Sequence, residues 1–384
     1  MKRAFALFLA LLMCVSLVAC GSAPAETTAP STEPSTAPST EPSIPVITEN
    51  PNYSAEETVE FGTEPTFTEP PETEPAPTEV EINYPYTNPL TGEGQMTQQT
   101  NRPFAVVINN IKAALPHHGV SQADIIYEML AEGGITRCLA IFTDISDVQK
   151  LGSIRSARTY FIDLAKAYDA ILVHAGGSEY AYNEFAKSGW PHLDGIRGAS
   201  KYFYRDQARR AKGVALEHTL FTTGENVLKA VNATKYAQTR DSIDYGFQFA
   251  EDVKLSGDAA AKITLSFTKK RETIMTYNPD SGLYEGYQQG GDYIDGNTGE
   301  IMTFKNIIVL HARTSSDGYR MFADLIGTGN GYFACNGEKV AIKWSRKSAK
   351  QPFVYTLADG TPIELGVGTT YVGILPTSSS VTFE

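Results

Sequence analysis

Residues 137–189 constrain the fold most, because they read in succession as strand, helix, strand and helix. An apolar run over 138–145 ends among Asp144 and Asp147, and a second over 170–175 closes on Gly176-Gly177. Between them Ala157, Phe161, Leu164, Ala165 and Tyr168 fall at helical spacing. That stripe predicts a helix of roughly 15 residues packed on a sheet. The two runs and the helix together predict a βαβ crossover.

A crossover helix runs antiparallel to its strands, so its N-terminus lies at their carboxyl edge, where open α/β sheets bind ligands. Arg155 and Arg158 are three residues apart, which places them together on the first turn, beside Ser153 and Ser156. Gly176-Gly177-Ser178 opens the next helix at the same edge, with Ser178 as its N-cap. Free backbone N–H groups, helix dipoles, hydroxyls and guanidiniums converging there describe an anion site. The competing reading is that both arginines pair with carboxylates such as Asp144, Asp147 or Asp163. His174 falls at the end of the second strand. Arg205, Asp206, Arg209 and His218 form a second charged group, which reads equally as an extension of that site or as a solvated face.

At the N-terminus Lys2 and Arg3 precede an apolar run over 4–19, too short for a membrane span but right for a signal peptide over 1–19. Leu17-Val18-Ala19-Cys20 followed by Gly21-Ser22 resembles a bacterial lipobox, which implies cleavage before Cys20 and a diacylglycerol on its sulfur. Residues 22–82 carry 12 of the 21 prolines and no lysine or arginine. Such a segment buries too little apolar surface to offset its chain entropy, so residues 20–82 are expected to be a lipidated, disordered tether. The formal charge of −12 therefore misleads. It sits in the tether's glutamates, and the body is nearly balanced, so its charge points to no nucleic-acid partner.

Beyond residue 82 the apolar run 104–108 predicts a buried strand, whereas 121–130 reads equally as helix or strand. Residues 190–195 read as a loop. From about 242 the texture changes to β-branched runs and hairpin signals, so the body divides into an α/β portion over 83–241 and a β-rich portion over 242–384. The fold class is α/β (α+β), with a βαβ-containing mixed sheet first and mainly antiparallel β-structure after it. Gly327, Gly329 and Gly331 precede no helix, so turns are expected there and not a nucleotide loop. Cys138 and Cys335 could pair in an oxidising exterior, but two buried free thiols are the first expectation, because Cys138 sits within an apolar strand.

Asn88-Pro89-Leu90-Thr91-Gly92, Glu132-Gly133-Gly134-Ile135-Thr136-Arg137, Gly152-Ser153-Ile154-Arg155-Ser156-Ala157-Arg158, His174-Ala175-Gly176-Gly177-Ser178 and Phe203-Tyr204-Arg205-Asp206 carry a resemblance. With Asn306-Ile307-Ile308-Val309 and the 368–376 ending, they resemble the YerB-like family of bacterial lipoproteins, a domain family of unknown function. The resemblance covers residues 84–384 and implies an N-terminal α/β portion, a C-terminal β portion and a place outside the cytoplasm. It implies no reaction.

Chemistry is therefore read from the residues. His174-Ala175-Gly176-Gly177-Ser178-Glu179 lacks the G-x-S-x-G pattern of a nucleophile elbow, and the six histidines show no metal-binding spacing. No cofactor and no metal are called for, and catalysis stays open. The first expectation is a noncatalytic, lipid-anchored protein on the outer face of the cell membrane. It would bind a phosphate-bearing envelope ligand through Arg155, Ser156, Arg158, His174, Gly176, Gly177 and Ser178, with Arg205, Asp206, Arg209 and His218 as additions. The second is an interaction protein that regulates membrane-bound cell-wall synthesis enzymes through Tyr180, Tyr182, Trp190, Tyr202 and Tyr204. A phosphoester hydrolase or transferase at the same arginines ranks third, because no nucleophile or base can be named for it.

Overall fold

The structure, a computed structural model, describes residues 82–240 and 244–384. The signal peptide, Cys20 and the tether up to residue 81 lie outside the described residues. In chain order the principal elements begin with β1 (Phe104–Asn110), β2 (Ile125–Leu130), β3 (Thr136–Phe142), α1 (Thr159–Ala167), β4 (Ile171–His174), α2 (Glu179–Ser188) and β5 (His192–Asp194). Then come α3 (Gln207–Ala211), α4 (Gly224–Asn232), β6 (Lys262–Thr268), β7 (Arg271–Asn278), β8 (Leu283–Gln288) and β9 (Asn306–Ala312). The last are β10 (Gly327–Cys335), β11 (Glu338–Arg346), β12 (Thr370–Pro376) and β13 (Ser380–Phe383).

One mixed sheet runs in the order β11, β10, β9, β12, β2, β3, β1, β4, β5, with Asp258–Ala259 and Val354–Thr356 both pairing with β11. Strands from both portions of the body thus share it. A second, antiparallel sheet stacks β8, β7, β6 and β13. β1 is buried along its whole length, which is why it reads as a continuous apolar run. Its alternate residues serve two cores. Val106 and Ile108 pack with Ile263, Leu265 and Met275 of the second sheet, while Ala105 and Val107 pack with Phe161, Leu164 and Ala165 of α1. Cys138 and Cys335 are buried and free, as expected.

Several local expectations need correction. β3 and β4 do not form a parallel crossover, because β1 lies between them, antiparallel to β3 and parallel to β4. The crossover is β4–α2–β5, one strand later, with His174 opposite Asp194 in parallel register. Its third member lies inside the segment 190–195 that reads as a loop, since a three-residue strand between Pro191 and Gly195 leaves no periodicity to detect. The open reading of 121–130 resolves to the strand β2.

Helix α1 has nine residues, shorter than the stripe suggests, and Arg155 is not on its first turn. The chain from Arg155 to Ser178 explains this. Ala175 N donates to Arg155 O, Ala157 N to Gly176 O, and Ser178 N to Ala157 O, so the segment 155–157 is tied sideways in extended form. The glycines expected in turns lie instead in β10. A Cβ at Gly329 would sit 2.4 Å from Trp344 Nε1, and one at Gly331 would sit 2.3 Å from Val309 O. Close approach of a ring and of a neighbouring strand requires glycine there.

Candidate functional site

The carboxyl ends of β1, β4 and β5 meet the starts of α1 and α2, so the edge predicted to hold a site is where the RSAR and HAGGS segments lie side by side. Ser178 is the N-cap of α2, its hydroxyl accepting from Ala181 N at 3.1 Å. Gly176 adopts φ 73°, a left-handed turn that suits glycine, and its N–H donates to Asp194 Oδ1 at 2.9 Å. Gly177 is bridged in parallel to Ala157, and Ser156 Oγ donates to Ala175 O at 3.0 Å.

The guanidiniums at this edge face carboxylates. Arg158 is buried and binds both Glu132 oxygens, Nε at 2.5 Å and Nη2 at 2.7 Å. Arg155 Nη2 donates to Glu217 Oε2 at 3.0 Å. Both arginines therefore pair as the competing reading anticipates, though with Glu132 and Glu217 and not with Asp144, Asp147 or Asp163.

The second charged group serves the main chain. Arg205 Nη1 donates to Leu216 O at 2.6 Å, and Arg209 donates to Ala114 O at 2.7 Å and Pro116 O at 2.5 Å. Asp206 caps α3 and holds Lys150 at 2.6 Å. His218 Nδ1 lies 2.8 Å from Asn109 Nδ2, and its Nε2 lies 3.3 Å from Glu217 Oε1.

Around the corner from these pairs, the same edge opens into a cleft of about 440 Å³ between the end of β5, the loop after it, and α4. Tyr182, His192, Asp194, Arg197, Lys201 and Tyr202 line it together with Ala230, Ala233 and Tyr236. Arg197 lies over the Tyr182 ring at 4.0 Å and Lys201 over the Tyr202 ring at 4.9 Å. Both cations are exposed, and neither has a carboxylate within ion-pair distance among the described residues.

The carboxylate in the wall is already satisfied. Asp194 Oδ1 accepts from the N–H groups of Gly176 and Ile196, and Oδ2 accepts from the Tyr182 hydroxyl at 2.7 Å. Burial works against its charge, but the neighbouring His174 and then these donors outweigh it and hold the carboxyl below its ordinary range. Burial, then the hydrogen bond to Asp194, pushes the Tyr182 hydroxyl up to about 12. His192 stacks on Phe185 at 3.9 Å, and its Nδ1 lies 2.9 Å from His174 Nε2. Burial, reinforced by the neighbouring His174, lowers its pKa to about 4, so both rings are neutral at neutral pH.

Sequence reasoning singles out neither Arg197 nor Lys201, and it weighs Asp194 only with Asp206 and His218 as a metal set that spacing does not support. Their signal is Asp194-Gly195-Ile196-Arg197-Gly198, a polar and glycine-rich turn directly after a strand, and it becomes legible only once β5 is seen as a strand.

The histidines have a consequence for stability. Burial lowers His117 to about 4, and it also lowers His118, His174, His192 and His218. The unfolded chain takes up these protons near about pH 6.5 while the folded chain resists, so stability is lost as the pH falls from there toward 4. Asp124, pushed up to about 6 by burial, acts in the opposite sense but is outnumbered. Urea midpoints should therefore be lower at about pH 5 than at about pH 7, with part of the slope removed in His192→Gln. A flat profile would show that these rings are not buried neutral.

Comparison with known proteins places the chain. The family profile described as "Protein of unknown function (DUF3048) N-terminal domain" matches residues 90–237, and its C-terminal counterpart matches residues 263–372. A protein of Bacillus subtilis (strain 168) described as "Putative lipoprotein YerB" is similar at 29% identity over 297 residues, 75% of this chain and 86% of that protein. The crystal structure of the YerB protein from Bacillus subtilis is similar with a TM-score of 0.68 at 26% identity, covering 77% of this chain and 99% of that one.

Proposed function

Because this chain belongs to the DUF3048 family, described as of unknown function, we propose its role from its own geometry: it is an envelope lipoprotein whose body captures an anionic ligand. The ligand site is the cleft beside β5, and its chemistry fits a phosphate-bearing envelope molecule. The observation that carries this reading is the pair Arg197 and Lys201, two exposed cations without carboxylate partners among the described residues. They stand at a cleft of small-molecule size, at the carboxyl edge of parallel strands where such sheets bind ligands. Arg155 and Arg158 support the edge from behind, since their charges are already matched by Glu217 and Glu132. The lipobox resemblance around Cys20 would hold the body at the outer face of the membrane, and Cys20→Ser should move the chain out of the membrane fraction.

Thermal denaturation of the body with inorganic phosphate, pyrophosphate and a sugar phosphate tests the site. A ligand at a hundred times its Kd adds roughly 2.7 kcal/mol of stability. The shift should disappear when Arg197→Ala and Lys201→Ala are combined and survive in Arg155→Ala. No shift with any of the three anions, or one that persists without Arg197 and Lys201, would remove this reading.

A second reading has an observation of its own. Ile196, Tyr204 and Leu216 are exposed, and Leu216 directly precedes Glu217, the partner of Arg155. Exposed apolar groups beside a matched ion pair suit a protein partner among the membrane-bound wall-synthesis enzymes. Crosslinking in cells from position 204 that captures no such enzyme would exclude it.

A further inference from the structure

Far from that cleft in sequence, the mixed sheet opens along one strand. β9 and β10 pair from Ile307 opposite Ala334 to Leu310 opposite Gly331, and there the ladder stops. β10 continues back to Gly327 against β11 alone, so, among the described residues, 327–330 have no strand on their other side. The cause is Trp344. It lies directly opposite Gly329, its ring occupies the space a Cβ would need, and its Nε1 donates to His311 O at 3.1 Å. The indole thus takes the carbonyl that a longer ladder would have used.

The result is a groove of about 620 Å³ floored by residues 327–330 and Trp344, with His311, Ala312, Arg313, Asp324, Ile326 and Thr377 around it. Its only charged side chains, Arg313 and Asp324, are paired with each other at 2.6 Å. No net field selects an ion there. Thr328, Asn330 and Thr377 are exposed and each can both donate and accept, as can a ligand hydroxyl. Gly327 carries no Cβ and nothing lies within 4 Å of where one would stand, and the exposed Ile326 offers an apolar face beside it.

We propose that this groove is a binding site for a neutral oligosaccharide, with Thr328 and Asn330 as the groups that hold its hydroxyls. An extended peptide adding to the open strand is the competing occupant, but the opposite wall has little main chain to offer it. The carbonyls of His311, Ala312 and Arg313 are taken by Trp344 Nε1, Thr377 N and Asp324 N. A saccharide needs no such second rail. The site is independent of the anion cleft and stands or falls apart from it.

The chain has two tryptophans, so Trp190→Phe leaves Trp344 as a single reporter inside the groove. In that background, chitotetraose, cellotetraose and maltotetraose are titrated into the full chain while indole fluorescence is followed. A saturable change with at least one of them is expected, and Asn330→Ala and Thr328→Ala should each weaken it by about ten-fold. Both side chains are exposed, so these variants should keep the parent's denaturation midpoint. No response to any of the three oligosaccharides overturns the proposal. So does a response that Asn330→Ala and Thr328→Ala leave unchanged. Saturable binding of an extended Thr-Val repeat peptide with no saccharide response would give the groove to a protein partner instead.

Discussion

Replacing Arg271 with methionine should destabilise the protein by about 3–5 kcal/mol, the expected cost of leaving a buried charge without its partner. Arg271 Nη2 lies 2.8 Å from Glu128 Oε1, with the carboxylate fully buried and the guanidinium nearly so. Glu128 also accepts from Asn110, Thr136, Thr273 and Tyr371, so groups from β1, β2, β3, β7 and β12 meet at one carboxylate. Burial alone would raise this carboxyl, but Arg271 and the hydroxyl donors outweigh it and hold it below the ordinary range. With the folded pKa depressed, the pair's stabilisation is present above the unfolded pKa and is lost as the pH falls through the folded one. In Arg271→Met the balance reverses, because burial then dominates and the carboxyl binds its proton more tightly when folded. The variant's deficit in urea midpoint should accordingly shrink on acidification. Adding Glu128→Gln should recover part of the loss, because the charge is gone while an oxygen remains for Asn110 and Thr136. A single variant within about 1 kcal/mol of the parent would mean that the two groups do not meet as described.

That junction also shows where reading the sequence stops. Glu128 and Arg271 are 143 residues apart, and neither stands out locally. By contrast β1, the stripe of α1, the Ser178 cap and the two buried thiols are legible, because apolar continuity, helical spacing and a capping hydroxyl are local signals. Strand direction is not local. Nothing in residues 137–175 records that β1 lies between β3 and β4, and so the crossover is misplaced by one strand. The site follows the same division. The carboxyl edge is legible from the order of elements, but the fate of each arginine depends on Glu132 and Glu217, which are 26 and 62 residues from their partners. Arg197 and Lys201, which have no carboxylate partner among the described residues, follow a strand too short to announce itself.

Gly224→Ala tests the wall of the cleft from the side of α4. Gly224 is the first residue of that helix, its N–H donates to Val148 O at 2.8 Å, and Thr223 caps the turn. A Cβ built there would lie 1.7 Å from Ile145 O and 2.8 Å from its carbonyl carbon. Two effects compete. Alanine gains up to about 1 kcal/mol over glycine in helix propensity, whereas overpacking typically costs about 1–3 kcal/mol. Here the obstacle is backbone on both sides, with no flexible side chain to move aside, so the clash should prevail at or above the top of its range. The urea midpoint should fall with little change in slope. Because Ala230 and Ala233 line the cleft, a shift of α4 away from the 145–148 turn should weaken anion binding as well. Gly198→Ala is the matched control. Gly198 lines the same cleft, a Cβ there meets nothing within 4 Å, and its stability should stay within about 0.5 kcal/mol of the parent. If Gly224→Ala behaves like Gly198→Ala, then α4 does not rest on the 145–148 turn, and the cleft loses the wall that gives it its size.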